Sequence, residues 1–328
     1  MKHYTFVDYA TQAYMALVAL MVLVFHNGTV PHWPWIVGAH LLGLVLVHGL
    51  IQACGGERPA EPLGFLRHFY PLFVYFWFFA ECGWLNRMFF KEYLDPLAIR
   101  WDQALFGCQP SILFMKKAPY LLVSELFYAA YFSYYLMIFG VGIALYRRNR
   151  DQFFHYLSVV SFVFYICYAS YIALPIVGPR VFFHDVPGYT LPQELDALAP
   201  DPSYPAAVQT GPFFQLMAFI YRVFEAPGAA FPSSHVAIAL CTVYFSFNYL
   251  RRIRYPHLVL AILLCFATVY CRYHYAVDVL AGIVTVLLLV PIANRLYFRF
   301  SKPAESRANR ENHVPQATER ESVPVPRA

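Results

Sequence analysis

The sequence has few charged residues: Asp, Glu, Lys and Arg make up only 13% of its 328 residues. Soluble domains carry about a quarter, whereas 59% of this chain is hydrophobic. The scarcity of charge excludes an ordinary soluble domain and predicts a polytopic membrane protein. Tyr and Phe are abundant, at 26 and 31 residues, as is typical of helix ends at the level of the lipid headgroups.

Several patterns that indicate other functions are missing. The seven cysteines form no C-x-x-C pair, and no acidic cluster of the kind that binds Mg²⁺ is visible, so the sequence predicts no metal and no other cofactor. The net charge of +5 comes without a long basic run, which argues against nucleic-acid binding. No small-residue cleavage site follows the first apolar stretch, so we interpret it as a membrane span rather than a signal peptide.

Eight apolar segments are long enough to span a bilayer, at about 20 residues each. They are 6–26, 35–53, 68–90, 119–146, 152–175, 233–250, 256–273 and 275–298. Their number and character predict an all-α fold, a polytopic membrane helix bundle of about eight transmembrane helices. The segment 301–328 is polar and contains several prolines, and it is predicted to be a disordered cytoplasmic tail.

Arginines are concentrated in three connections that eight spans place on one side of the membrane, namely 55–67, 146–151 and 251–257. By the positive-inside rule this side is cytoplasmic, and both termini lie there. Two long connections, 91–118 and 176–232, lie on the opposite side. Long loops are uncommon unless they are functional, and the first has the mixed character of an interfacial or re-entrant helix.

The stretch FPSSHVAIAL places polar residues at the start of an apolar helix. Ser233 follows Pro232 and belongs to the preferred N-cap residues. The free N–H groups at such a helix start form an anion site. Taken alone, the stretch favours an ordinary capped helix with His235 at the membrane interface.

A second histidine returns to the same depth after one helical hairpin. The helix from Ser234 and the helix that follows it are of nearly equal length, so His274 in the stretch HYAVD reaches the level of His235. His274 and Asp278 are four residues apart and share a helix face, where the carboxylate can orient the imidazole. The alternative is a His–Asp contact that only joins two helices.

Arginines on the same side indicate that this region binds an anion. Arg180 follows the fifth span, and its guanidinium can bind a phosphate through two hydrogen bonds. Arg222 and Arg272 are weaker candidates; Arg272 lies two residues before His274 and faces the site only if the helix breaks there. Two histidines beside an anion site suggest phosphoryl transfer, in which one attacks phosphorus and the other protonates the leaving oxygen.

These residues together resemble a known family. PSSH, then HYAVD after one hairpin, with Arg180 at the end of the preceding span, resemble the motifs P-S-G-H, S-R-x5-H-x3-D and K-x6-R-P of the type 2 phosphatidic acid phosphatase superfamily. The resemblance covers about residues 95–290. It implies a six-helix catalytic core and a division of the chain into three parts. These are N-terminal transmembrane helices at 1–90, a catalytic membrane domain at 91–300 and the tail at 301–328.

The resemblance also implies a role for each residue. His274 is expected to be the nucleophile that forms a phosphohistidine, Asp278 its orienting group, and His235 the general acid that releases the leaving alcohol. The expected phosphate-binding groups are the Ser233 side chain, the backbone N–H groups of Ser234 and His235, and Arg180.

Three positions depart from the family motifs. The Lys of the first motif falls on Ala173, the Gly of the second on Ser234 and the Arg of the third on Thr268. The site therefore has fewer cations than a typical monoester phosphatase, and a phosphodiester, which carries less negative charge, needs fewer. GAAFPSSH, RYHYAVD and WDQALFG are similar to the subgroup that contains inositol phosphorylceramide synthase, and sphingomyelin synthases share the H-Y-x-x-D form.

The function predicted from these features is transfer of a phospho-headgroup from a phospholipid donor to a lipid alcohol at the extracytoplasmic face. Water can also resolve a phosphohistidine, so a lipid phosphate monoester phosphatase, of the phosphatidate or polyprenyl diphosphate type, is an alternative. A non-enzymatic lipid transporter or scramblase is a further alternative. The gathering of ionisable residues at one face argues against it, and we interpret the exceptions His48, Glu81 and Glu125 as structural. Vanadate-dependent haloperoxidases share the family site but are usually soluble.

Overall fold

The computed structural model describes residues 3–55, 61–183, 193–198, 202–224 and 227–301, which form a helical bundle. Its helices are α1 (Phe6–Phe25), α2 (Trp33–Ala53), α3 (Glu61–Leu85), α4 (Asp95–Phe106), α5 (Pro110–Lys117), α6 (Leu121–Arg148), α7 (Arg150–Ala173), α8 (Pro179–Phe182), α9 (Gln193–Asp196), α10 (Ala206–Gln209), α11 (Pro212–Phe224), α12 (Ser234–Tyr249), α13 (Arg254–Tyr270) and α14 (Ala276–Phe300). Within these ranges the extended structure is limited to an isolated parallel bridge between Ile176 and Ala229. The predicted all-α class is confirmed.

All eight apolar segments predicted from the sequence form helices. Five of these helices, α1, α2, α6, α7 and α14, are long and apolar enough to cross a membrane by length and composition. The other three are α3, with 25 residues, and α12 and α13, with 16 and 17. The helical membrane fold is therefore confirmed, and the number of eight spans stays a prediction. All but the first residue of the predicted tail lies outside the described residues.

Helix α7 lies at the centre of the bundle and contacts α1, α3, α6, α12 and α14. A helix that is hydrophobic on every side is buried on every side. Several hydroxyl groups inside the bundle are paired across helices, which avoids the several kcal/mol that an unpaired polar group costs in a dry interior. Tyr165 of α7 bonds to Thr11 of α1 at 2.8 Å, and Ser161 of α7 bonds to Tyr75 of α3 at 2.5 Å.

The ionisable residues that the sequence places deep in the spans have partners within the protein. Glu81 lies 3.0 Å from Nε2 of His40, and His48 bonds to Tyr4. The Glu125 carboxylate accepts two backbone N–H groups at the start of α11. These contacts join helices to one another, as expected for structural groups.

The basic connections and the ends of the described chain lie at one end of the bundle. The Arg148 guanidinium donates to the Tyr249 carbonyl at 2.5 Å, which joins the α6–α7 turn to the α12–α13 turn. The Phe6 N–H donates to Ser301 Oγ at 3.1 Å, which joins the start of α1 to the end of α14. Because α12 and α13 are antiparallel, the start of α12 and the α13–α14 turn lie at the opposite end.

The long connections at this opposite end contain the shorter helices. The segment predicted to be one interfacial or re-entrant helix consists of two, α4 and α5. Helix α4 is amphipathic: Leu97, Trp101 and Leu105 are exposed on one face. The buried face consists of Asp95, Ala98, Ile99 and Asp102. The described part of the second connection contains α8 to α11.

Candidate active site

Three chain segments bring the predicted catalytic residues together at this end of the bundle. His235 lies in the first turn of α12, His274 in the turn between α13 and α14, and Asp278 in the first turn of α14. Nε2 of His274 lies 3.3 Å from Nδ1 of His235. Nδ1 of His274 lies 3.3 Å from Oδ2 of Asp278. The two histidines and the carboxylate thus form one line of polar contacts.

A break after α13 directs His274 into the site. The helix ends at Tyr270, and Arg272 has a φ of 63°, in the left-handed region that ends helices. The N–H groups of Tyr273 and His274 then both donate to the Thr268 carbonyl at 3.1 Å. Thr268, the position where the family motif has an arginine, therefore supports the turn through its backbone.

Asp278 is fixed by the start of its own helix. Its Oδ2 accepts the Tyr275 N–H at 2.9 Å in a capping-box arrangement, and the same oxygen faces His274. Asp278 is fully buried and His274 is 2% exposed. The carboxylate is thus positioned before any substrate arrives, and it holds the imidazole by Nδ1.

Close packing of α12 on α14 sets the separation of the two histidines. The Ser233 N–H donates to the Asp278 carbonyl at 3.0 Å. A Cβ atom on Gly282 would lie only 2.6 Å from the Ser233 carbonyl oxygen. Glycine is therefore required for the helices to approach this closely, one turn below Asp278.

Two tyrosines that sequence reasoning missed complete the line of contacts. The Tyr131 hydroxyl, on α6, lies 3.0 Å from Nε2 of His235, and it also bonds to the Tyr221 hydroxyl on α11. Tyr221 stacks on Tyr273 with ring centroids 4.2 Å apart. No signal in the sequence separates these tyrosines from the other members of an abundant residue type, since Tyr131 is 104 positions from His235.

Arg180 lies beside these tyrosines. Its guanidinium is 4.9 Å from the centroid of the Tyr221 ring and 5.6 Å from that of the Tyr273 ring. The Arg180 N–H donates to the Arg272 carbonyl at 2.7 Å, so the segment before α8 packs against the α13–α14 turn. Gly178 permits this contact: its φ is 90°, and a Cβ there would lie 2.6 Å from the Tyr273 carbonyl oxygen.

The two serines of PSSH are engaged by the protein. Ser233 is the N-cap of α12, and its Oγ accepts the Val236 N–H at 3.4 Å. The Ser234 N–H, expected to hold a phosphate oxygen, donates to the Tyr171 hydroxyl at 3.1 Å, because Tyr171 lies directly beneath the turn. Ser233 is fully buried, with its hydroxyl at the N-terminal turn of α12.

The two weaker arginine candidates lie in different surroundings. Arg272 is buried, and the helix break that it needs is present. Its guanidinium donates to the carbonyls of Pro202 and Ser203 and covers the Tyr204 ring. Arg222 is exposed in the last turn of α11. Arg180, by contrast, lies over the rings of Tyr221 and Tyr273.

The protonation of His274 follows from its burial. Burial lowers the pKa of the His274 imidazole to about 4, although its hydrogen bond to the Ala230 backbone opposes the shift. The ring is therefore neutral near pH 7. Nδ1 of the ring faces Asp278, and a proton on Nδ1 would leave the lone pair on Nε2, which faces His235.

A buried imidazole beside a carboxylate, next to a second imidazole, is an arrangement suited to covalent group transfer. A family model described as the PAP2 superfamily matches residues 98–292, which is more than half of the chain. The chain belongs to the PAP2 superfamily, the type 2 phosphatidic acid phosphatases, and has a lipid phosphatase- or phosphotransferase-type function. Comparisons with curated proteins and with solved structures gave no match.

Proposed function

We propose that this protein is a lipid phosphotransferase that moves a phospho-headgroup from a phospholipid to a lipid alcohol, in the manner of the inositol phosphorylceramide synthase subgroup. The observation that carries the proposal is the line of contacts from Tyr131 through His235 and His274 to Asp278. It supplies an oriented nucleophile and a proton donor on one site. The catalytic roles of His274, His235 and Asp278 are part of the proposal.

In the first step Nε2 of His274 attacks the phosphorus of the donor lipid. The bond between phosphorus and the glyceride oxygen breaks, and protonated His235 gives its Nδ1 proton to that oxygen and becomes neutral, so that the diacylglycerol leaves as an alcohol. Asp278 accepts the Nδ1–H of His274 and stabilises the positive charge on the ring. Arg180 and the Ser233 hydroxyl bind the phosphoryl oxygens.

In the second step the headgroup leaves the enzyme. The hydroxyl of the acceptor lipid attacks the phosphohistidine, His235 takes up the hydroxyl proton, and the P–N bond breaks to restore neutral His274. Water in place of the lipid alcohol would complete a phosphatase reaction by the same route. The identity of the acceptor therefore separates the two activities.

The two histidines are in direct contact. With 3.3 Å between Nδ1 of His235 and Nε2 of His274, the two atoms are at hydrogen-bonding distance. A phosphoryl group cannot lie between them at that separation. Substrate binding therefore requires one of the two rings to rotate.

The scarcity of cations supports a phosphodiester as the substrate. The two family positions that usually carry Lys and Arg are Ala173 and Thr268. A phosphodiester has one negative charge, whereas a monoester has nearly two at neutral pH. We place the site on the extracytoplasmic side, because it lies at the end of the bundle opposite the arginine-rich turns.

The test uses protein purified in detergent, with a phospholipid labelled in its headgroup, in the presence and absence of ceramide or diacylglycerol. We expect a labelled product lipid only when an acceptor is present. His274→Ala is expected to abolish turnover, and His235→Ala is expected to slow it by at least about 100-fold. Acid-labile label should accumulate on the His235 variant and be absent from the His274 variant.

His257→Ala is the matched control, because His257 is also a buried histidine of the α12–α13 hairpin but bonds to Thr242 and Ser246. Its turnover should stay within about threefold of the wild type. Unchanged turnover in both active-site variants would refute the mechanism. Release of the free headgroup phosphate without any acceptor would identify a phosphatase, and lipid movement between leaflets without turnover would identify a scramblase.

A further inference from the structure

We infer that Asp95 and Asp102 of α4 are positioning residues, which hold the two backbone segments that carry Arg180 and His274. The inference rests on the proposed roles of Arg180 and His274. It concerns helix α4, in a segment that the sequence predicts to be interfacial or re-entrant and whose WDQALFG stretch is similar to the inositol phosphorylceramide synthase subgroup. Neither carboxylate touches the histidines, so both act through the backbone.

Asp102 holds the start of α14. Its Oδ2 accepts the Ala276 N–H at 3.0 Å, and its Oδ1 accepts the Val277 N–H at 2.8 Å. These are first-turn N–H groups, which have no partner within the helix itself. Because His274 lies two residues before Ala276, a displacement of this turn displaces the nucleophile and its contact with Asp278.

Asp95 holds the segment before Arg180 and the residue after His274. Its two oxygens accept the N–H groups of Val177 and Gly178, both at 2.9 Å. Its Oδ1 also accepts the Tyr275 hydroxyl at 2.9 Å. The Asp95 carboxylate thus connects the segment that carries Arg180, the proposed phosphate-binding residue, to the segment that carries His274, the proposed nucleophile.

The arrangement of α4 supports a dedicated role for this face. Asp95 and Asp102 are seven residues apart, which is two helical turns, so they lie on the same side. Both are fully buried. A buried carboxylate is costly unless it is hydrogen-bonded, and here burial raises the pKa of Asp95 to about 7 and that of Asp102 to about 6, against the effect of their hydrogen bonds.

A helix that served only to cover the bundle would need no carboxylates on its buried face. Apolar side chains such as the neighbouring Ala98 and Ile99 would suffice. All five hydrogen bonds of the two carboxylates go to residues within three positions of Arg180 or His274. The geometry therefore points to alignment of the site rather than to general stability.

The test compares Asp102→Asn, Asp102→Leu and Asp95→Asn with Glu92→Gln, an exposed acidic residue just before α4. Asparagine keeps one acceptor oxygen, whereas leucine removes both. We expect kcat to fall about 10-fold in Asp102→Asn and about 100-fold in Asp102→Leu, with KM within threefold, because small misplacements of reacting groups reduce rates on this scale. Each rate is divided by the folded fraction, measured by size-exclusion chromatography.

A second readout does not depend on activity. The rate at which diethyl pyrocarbonate modifies His274 is measured by peptide mass spectrometry, with the exposed His32 as internal standard. His274 is 2% exposed, and we expect its modification to be at least fivefold faster in Asp102→Leu and unchanged in Glu92→Gln.

Normal kcat and normal His274 modification in folded Asp102→Asn and Asp102→Leu would overturn the inference. So would a lower thermal stability with unchanged kcat per folded molecule, since that result describes a purely structural contact. If the wild type turns over no lipid phosphate, the proposed function fails. Faster modification of His274 in the variants would then still show that α4 positions this histidine.

Discussion

At the scale of single residues, the chemistry of the site depends on which ring atoms face one another. Nδ1 of His274 faces the Asp278 carboxylate, and its Nε2 faces Nδ1 of His235. Nε2 of His235 lies 3.0 Å from the Tyr131 hydroxyl. In the proposed mechanism, Nδ1 of His235 is therefore the atom that exchanges a proton with the substrate, and Tyr131 holds the opposite side of the ring.

Tyr131→Phe tests this arrangement. Without the hydroxyl, Nε2 of His235 loses its hydrogen-bond partner, and the ring is held less firmly in its orientation towards His274. We expect kcat to fall about 10-fold, which corresponds to about 1.4 kcal/mol of transition-state free energy, with little change in KM. Tyr156→Phe is the control, since its hydroxyl donates to the Ile138 carbonyl at 2.9 Å, outside the site. Equal kcat in both variants would contradict the role of Tyr131.

The protonation of His274 gives a second prediction at this scale. Burial disfavours the charged ring and lowers its pKa to about 4. The His274 imidazole therefore stays neutral at pH values well below the ordinary histidine pKa of about 6.5. Between these two values the unfolded chain binds more protons than the folded one, so this residue makes stability rise with pH in that window.

The measurement is a titration of ¹⁵N-histidine-labelled protein in nanodiscs, with the His274 signals assigned by their loss in His274→Gln. We expect the midpoint near pH 4. A midpoint above about 7 would show that the ring is mostly charged at neutral pH and would contradict its assignment as nucleophile.

At the scale of helices, the crossing of α12 and α14 holds the two histidines together. Gly282→Ala would place a Cβ 2.6 Å from the Ser233 carbonyl oxygen, so the helices must separate. Overpacking of this kind costs about 1–3 kcal/mol. We expect a lower melting temperature together with a loss of at least about 10-fold in kcat, because His235 moves away from His274.

Gly140→Ala is the matched control for this substitution. Gly140 lies in α6, where an added Cβ meets no atom within 4 Å. Removing a glycine from a helix interior is otherwise favourable by roughly 0.5–1 kcal/mol. The control should therefore melt at the same or a higher temperature with full activity. A Gly282 variant that behaves in the same way would show that α12 and α14 can separate without consequence.

The helices show what the sequence could and could not predict. Apolar length was sufficient to locate all eight long helices, because bilayer thickness imposes the same requirement on each. It misplaced the start of α3, which begins at Glu61 rather than at residue 68. Arg67 lies inside that helix and pairs with Asp8 of α1 at 2.5 Å. Local hydropathy cannot predict a contact between two helices.

The site was predictable where its residues share one hairpin. Equal helix lengths bring His235 and His274 to the same depth, and a four-residue spacing aligns His274 with Asp278. Tyr131 and Asp102 were not predictable, because their partners are 104 and about 174 positions away in the chain. Those contacts arise from the packing of α6 and α4 against the hairpin. The local periodicity of the sequence does not predict how these helices pack.

At the scale of the whole molecule, the two ends of the bundle differ in chemistry. One end contains the arginine-rich turns, joined by the bond from Arg148 to the Tyr249 carbonyl, and the described ends of the chain. The other contains the histidines, the tyrosines and the amphipathic helix α4. Such a polarity predicts a fixed orientation, with the arginines in the cytoplasm and the site on the extracytoplasmic side.

Cysteine labelling in sealed membranes of known sidedness tests this orientation. Cys54, Cys108 and Cys265 are half-buried, so all three are first replaced by serine. Arg252→Cys and Thr210→Cys then place single exposed thiols at the arginine-rich end and at the site end. We expect a membrane-impermeant maleimide added from the extracytoplasmic side to label Thr210→Cys alone, and to label Arg252→Cys only after the membrane is permeabilised. The reverse labelling pattern would place the site on the cytoplasmic side, where the donor and acceptor lipids would come from the inner leaflet. Equal labelling of both thiols would show that the arginines do not fix a single orientation.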